Sequence, residues 1–281
     1  MALSLLSKVT TEVRKSGTKI IVLGTPGVGK SEWAAHSPKP LFLLSAREDG
    51  IFTLKNRGLV PPTVATYPEL IKSWRDLRAI INELKSSDNH GYETLVLDTI
   101  SGFYDALQEH TIKTQFQGDV GSFNAYGAGI KAVPEQWKSF LDDLNEIKDK
   151  GMRIIALCHC KRTEFKDPVK GAYHTWTARM PDEIWSHTSQ WSDMTLFADF
   201  DTSVNEKTKK ATAGTGRIFY TERTAAYDAK NRHGLPSMIM MGNKGGKHAW
   251  DMFTKAMRSS NEKVNPSQGE EGEDTQTTSD E

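Results

Sequence analysis

Apolar residues in this chain fall into two patterns. Short unbroken runs stand at residues 20–23 (IIVL), 41–44 (LFLL), 95–97 (LVL) and 154–158 (IIALC). Runs of that length without polar alternation predict strands covered on both faces. Two later runs, DMTLFADF and GRIFYTER, predict further strands, separated by a polar loop over residues 201–215. Between the early runs the spacing becomes helical. Residues 68–87 place Leu70, Ile71, Trp74, Leu77, Ile80, Ile81 and Leu84 on one stripe, and VPEQWKSFLDDLNEIKDK repeats the pattern before Gly151. A further helix is expected from about Gly102 to His110, and a loop from Gln115 to Gly129. Strands alternating with helices predict an α/β fold, a mostly parallel twisted sheet flanked by helices with right-handed crossovers. The expected organisation is an N-terminal helix at 1–16, one domain over 17–255, and a tail over 256–281.

Composition changes this picture at the C-terminus. Residues 261–281 hold seven acids and one base, so the remaining 35 bases and 29 acids leave the body at +6, although the whole chain sums to zero. A tail without large apolar side chains cannot offset its ordering entropy by burial and is expected to be disordered. It serves solubility or competes with nucleic acid for the basic body. No apolar run approaches the roughly 18 residues a membrane span needs, so no membrane partner is expected. Cys158 and Cys160 flank His159 without a second ligand pair at zinc spacing, and are expected to be unpaired thiols in a reducing cytoplasm.

The first apolar run leads into GTPGVGKS (Gly24, Thr25, Pro26, Gly27, Val28, Gly29, Lys30, Ser31), followed by a helical stretch. That is the full phosphate-loop pattern. Backbone N–H groups can cradle phosphates, Lys30 reaches the β- and γ-phosphates, and the Ser31 hydroxyl ligates Mg²⁺. The expected cofactors are therefore ATP and Mg²⁺. Asp98 ends a buried strand, where its carboxylate can hold the metal's water shell. Its neighbour is Thr99, so the catalytic base must lie elsewhere. Glu48, just past the second strand, is the candidate for polarising the attacking water, with Asp49 as the alternative. His159 ends the fourth strand, either as a γ-phosphate sensor or as an ordinary core histidine.

Two stretches bear on the class of activity. In YDAKNRHGLP, Lys230 and Arg232 are two apart and share a face of an extended segment, which suits a charge clamp on the transferred phosphoryl group supplied by a neighbouring subunit. In KRTEFKDPVKGAYHTWTARMP, Lys161, Arg162, Lys166, Lys170 and Arg179 are interleaved with aromatic residues. Such a stretch can neutralise phosphates while bases stack on rings, or form a mobile cover for the nucleotide.

The phosphate loop, the Asp98 strand without a second acid, the acid after the second strand and the late KNRxG together resemble the RecA-like ATPase core. The KNR element is similar to that of bacterial RadA, with His233 in place of the aromatic. The order of YGAG, FLDDL, ALCHCKRTEFKDP and AKNRHGLP resembles the small phage RecA-like ATPases of the Sak type, over about residues 17–240. The resemblance implies ATP-assisted binding of single-stranded DNA, annealing or strand exchange, and assembly as a homo-oligomeric ring or filament. It also implies work beside a phage or host single-strand-binding protein, in the cytoplasm of an infected bacterium. The rivals are a DNA motor or helicase loader and a small-molecule kinase, which use the same cradle.

Overall fold

A computed structural model describes residues 16–167, 171–204 and 211–264, with Val9 and Thr11. Most of the segment expected as a helix at 1–16, most of the acidic tail and the basic residue Lys170 lie outside the described residues.

Five parallel strands form the centre of the sheet: β1 (Lys19–Gly24), β2 (Pro40–Leu44), β4 (Thr94–Asp98), β5 (Arg153–Asp167) and β7 (Met194–Val204). The short strand β3 (Ala65–Thr66) lies parallel beside β2. The order is β7-β1-β5-β4-β2-β3. Thus β5 is inserted between the strand that leads into the phosphate loop and the strand that ends at Asp98. Beyond β7 the sheet turns antiparallel through β8 (Ala211–Tyr220) and β10 (Met238–Gly242), and the short β9 (Lys230–Asn231) pairs with the start of β7.

Burial on both faces explains the unbroken apolar runs. In β1, Ile21 and Leu23 face one layer while Ile20 and Val22 face the other. The first layer is built by α3 (Trp74–Ser86), α4 (Ile100–Gln115) and α6 (Ala128–Asp149), with Trp74, Phe103, Trp137 and Phe140 at its centre. The second is built by α1 (Lys30–Ala34), α2 (Gly50–Asn56) and α8 (Gly245–Val264), where Trp33 packs on Phe219, Trp250 and Phe253. Among the described residues no helix is long and apolar enough to cross a membrane.

Several expectations are corrected. Leu70 and Ile71 precede α3, because the Ser73 hydroxyl accepts from Asp76 N–H and caps the helix there. Ile71 instead bridges Ser45 beside the sheet. The helix expected at 102–110 runs from Ile100 to Gln115. The loop expected at 115–129 contains α5 (Val120–Asn124), capped by Asp119, then a 3-10 turn and the start of α6. The fourth strand does not stop at His159 but continues to Asp167, pairing there with β6 (Gly171–Ala178) as a hairpin. The loop expected at 201–215 is largely strand, since β7 reaches Val204 and β8 begins at Ala211. Among the described residues α2, β3, α7 (Asp182–Trp191), β10 and α8 were also not expected. The last of these runs through the boundary placed at 255.

Candidate active site

The C-terminal edge of the parallel strands gathers the chemistry, as open α/β sheets require. β1 delivers the glycine loop. Gly27 and Gly29 hold φ of 81° and 93°, left-handed values that cost glycine little and turn successive N–H groups into one concavity. Lys30 follows at the start of α1. Its buried ammonium donates to Gly24 O at 2.9 Å and Thr25 O at 3.0 Å. Burial holds its pKa below the ordinary lysine value, against the pull of Asp98.

Ser31 Oγ donates to Asp98 Oδ2 at 2.7 Å. Asp98 is buried at the end of β4, and loss of hydration pushes its pKa up to about 6, opposed by the Ser31 hydrogen bond and reinforced by the charge of Glu48. Glu48 lies just past β2, with Oε1 2.6 Å from His159 Nε2. Burial acts to raise the Glu48 pKa, but the His159 hydrogen bond and charge, helped by Lys30 and Arg179, outweigh it and hold the carboxyl below its usual range. His159 Nδ1 is buried with no hydrogen-bond partner among the described residues. Burial pushes the Cys158 thiol up to about 12, so neighbouring Cys158 is an inert thiol rather than a nucleophile.

Lys30, Ser31, Glu48, Asp98 and His159 line a single cavity of about 410 Å³. Its donor set fits a hard divalent cation with a polyphosphate. Ser31 and Asp98 offer oxygen ligands side by side, and a buried carboxylate whose charge is poorly solvated is the group a cation would relieve. Lys30 hydrogen-bonds only neutral carbonyls, an arrangement a phosphate oxygen would improve on. Glu48, ionised and oriented by His159, can accept a proton from water. Asp49 stands at the N-cap position of α2 without a side-chain capping bond and does not line the cavity.

A family model described as an AAA domain matches residues 16–233, from the start of the described core to past the KNR element. The chain belongs to this AAA domain family. The crystal structure of the flagellar accessory protein FlaH from Methanocaldococcus jannaschii is similar to the AAA domain at 11% identity and a TM-score of 0.43, over 83% of this chain and 88% of that one. No curated protein matches the sequence. The mostly parallel P-loop α/β fold of the AAA domain is therefore read from its own strand order and loop.

Other predicted residues of the AAA domain stand elsewhere. β9 pairs Lys230 with Thr195 and Asn231 with Met194, at the beginning of β7. Lys230 and Arg232 thus sit at the N-terminal edge of the sheet, opposite the phosphate loop. Lys230 Nζ donates to Ser189 O, Gln190 O and Ser192 O at 2.7, 3.1 and 2.6 Å. It caps the end of α7, a role the sequence reading did not foresee. Burial, with Arg232 and Lys19 nearby, pulls its pKa down to about 8, against Asp193. Arg232 is exposed, with no hydrogen-bond or ion-pair partner for its guanidinium among the described residues.

The basic stretch divides. Arg162 and Lys166 are exposed on one face of the β5–β6 hairpin, where Arg162 opposes Trp176. Phe165 and Tyr173 pack on the other face, ring centroids 5.4 Å apart and tilted by 47°. Lys161 instead donates to Met180 O at 3.0 Å, and Arg179 pairs with Asp105 at 3.0 Å.

One cavity residue carried no assigned role in the sequence. Arg217 of β8 reaches the wall of the same cavity. The only local signal was a cation at the start of an apolar run, after Gly214 and Gly216.

Proposed function

We propose that the chain is an ATP-binding, ATP-hydrolysing RecA-like recombination protein that uses Mg²⁺, binds single-stranded DNA and promotes annealing or strand exchange. The observation that carries this reading is the continuity of β5. One strand brings His159 to the cavity and then, three and seven residues on, carries exposed Arg162 and Lys166 on a ribbon with exposed rings. Ser31 and Asp98 would hold the cation, which would supply charge neutralisation on the phosphates. Lys30 leaves the carbonyls of Gly24 and Thr25 for the β- and γ-phosphate oxygens. Glu48 orients the attacking water and takes its proton, while His159 keeps the carboxylate aimed. Arg232 of a neighbouring copy completes the positive charge around the transferred group, and assembly into a ring or filament follows from that sharing.

The test is ATP hydrolysis with and without single-stranded DNA at several salt concentrations, for the parent and for Arg162→Ala/Lys166→Ala. DNA should stimulate the parent, and stimulation should fade with salt. Loss of two phosphate contacts should make the log–log salt slope of DNA binding shallower by about 1.4. A parent indifferent to DNA at low salt removes the recombination reading, and transfer of phosphate to a metabolite puts the kinase in its place.

A further inference from the structure

Arg217 is the one cavity-lining cation that the proposed hydrolysis leaves unused. β8 lies across β7 from β1, whereas β5, β4 and β2 lie on the opposite side. The phosphate loop is therefore flanked by Asp98, Glu48 and His159 on one side and by Arg217 on the other. Ser31 and Lys30 commit the cation and the β- and γ-phosphates to the Asp98 side. What remains for the Arg217 side is the α-phosphate and the nucleoside.

The guanidinium lies over the phosphate loop and makes no side-chain hydrogen bond among the described residues. An added Cβ on Gly29 would come within 2.8 Å of Arg217 Nη1, so the arginine lies directly over the loop where only glycine leaves room. Its charge partner is Glu32 at 3.7 Å, beyond hydrogen-bond reach, and the other Glu32 oxygen already accepts from Gly246 N–H at 2.7 Å. No side-chain hydrogen bond is made by Arg217 among the described residues, although its side chain is only 29% exposed. Partly buried donors without acceptors are costly, and a phosphate can satisfy two of them at once. The backbone also singles this position out. The β8 ladder shifts register beside Arg217 on both sides, between Phe200 and Thr202 of β7 and between Met240 and Gly242 of β10. Bulges re-aim side chains in this way.

We propose that Arg217 is a nucleotide-binding residue supplied by the same chain, gripping the α-phosphate of the bound nucleotide, with Glu32 holding the guanidinium in place beforehand. This rests on the nucleotide reading of the cavity. The experiment is calorimetric titration of ATP, ADP and adenosine into the parent, Arg217→Ala and Arg217→Lys, with melting temperatures as the folding control. Arg217→Ala should weaken ATP and ADP by the same factor, about 10- to 100-fold, as loss of a charged hydrogen-bonding partner does, and leave adenosine affinity unchanged. KM for ATP should rise by that factor, and Arg217→Lys should recover part of the loss. Unchanged affinities in a folded Arg217→Ala, or a loss confined to ATP, overturn the assignment. A parent that binds neither ATP nor ADP overturns the nucleotide reading beneath it. Should Arg217→Ala not fold, a Lys variant with full affinity for both nucleotides gives the same negative answer.

Discussion

Lys30 and Lys230 are both withdrawn from solvent and both bonded to backbone carbonyls, yet they sit at opposite edges of one sheet and do different work. Lys30 takes two carbonyls of a glycine loop and faces an open cavity shared with Ser31, Asp98 and Glu48. Lys230 takes three carbonyls at the end of α7, one of which, Ser189 O, also accepts from Ser192 Oγ at 2.9 Å. The same side chain is a reagent where its present partners are replaceable and a fastener where they are not. Carbonyl bonds alone do not distinguish the two; the surroundings do.

The sharpest way to break this contrast is to truncate both residues. Lys30→Ala should lower ATP hydrolysis by about 10² to 10³-fold, the usual cost of one preorganised donor at a developing charge, with little change in melting temperature. Lys230→Ala should cost about 1–2 kcal/mol of stability by removing charged hydrogen bonds to the partly buried carbonyls of Ser189 and Ser192, measured by urea unfolding. If Lys230→Ala kept full stability but lost turnover, the clamp role would return to Lys230 and the capping role would fall.

A subtler test concerns the cation beside Lys230. Arg232 is exposed at the same edge, across the sheet from its own phosphate loop, so it can reach a nucleotide only in another copy. Arg232→Ala should lower turnover by on the order of 10³-fold if it acts as such a finger. Mixed with Glu48→Ala protein, it should recover activity through sites that combine two intact halves. Mixtures no more active than either variant would count against a shared site.

The smallest effect is one of pH. Burial raises the Asp98 pKa to about 6. Folded protein thus binds a proton that the unfolded chain has released between about pH 4 and 6, so this group's contribution to stability declines as pH rises through that window. A cation on Asp98 must displace that proton. Magnesium-dependent nucleotide affinity should therefore fall about tenfold per pH unit below 6 and level off above it. A flat profile between pH 5 and 7 would show that Asp98 stays ionised without metal.

Much of the sheet centre was legible because its determinants are local: unbroken apolar runs, a glycine loop, and Asp98 at a strand end. The pairing of Glu48 with His159 could be anticipated only as proximity at one edge. Elements beyond residue 160 were harder. The β5–β6 hairpin is a solvated ribbon whose cations and rings hide the alternation of a half-buried strand, and it reads as loop. α8 escaped because its pattern begins in NKGG and was not followed past the KNR element. Arg217 and Lys230 are decided by strand order, which no short window contains: one is carried to the phosphate loop by β8, the other away from it by β9.

The unbroken course of β5 has a mechanical consequence. Eight residues beyond His159, at about 3.3 Å each, place the hairpin end roughly 26 Å from the cavity. A strand held by β1 and β4 at its root and by β6 alone farther out behaves as a lever with its fulcrum at the sheet edge. A tilt of about 10° there sweeps the far end by roughly 4–5 Å, close to the spacing of adjacent strands, so a displacement too small to disturb the core becomes a full step at the surface.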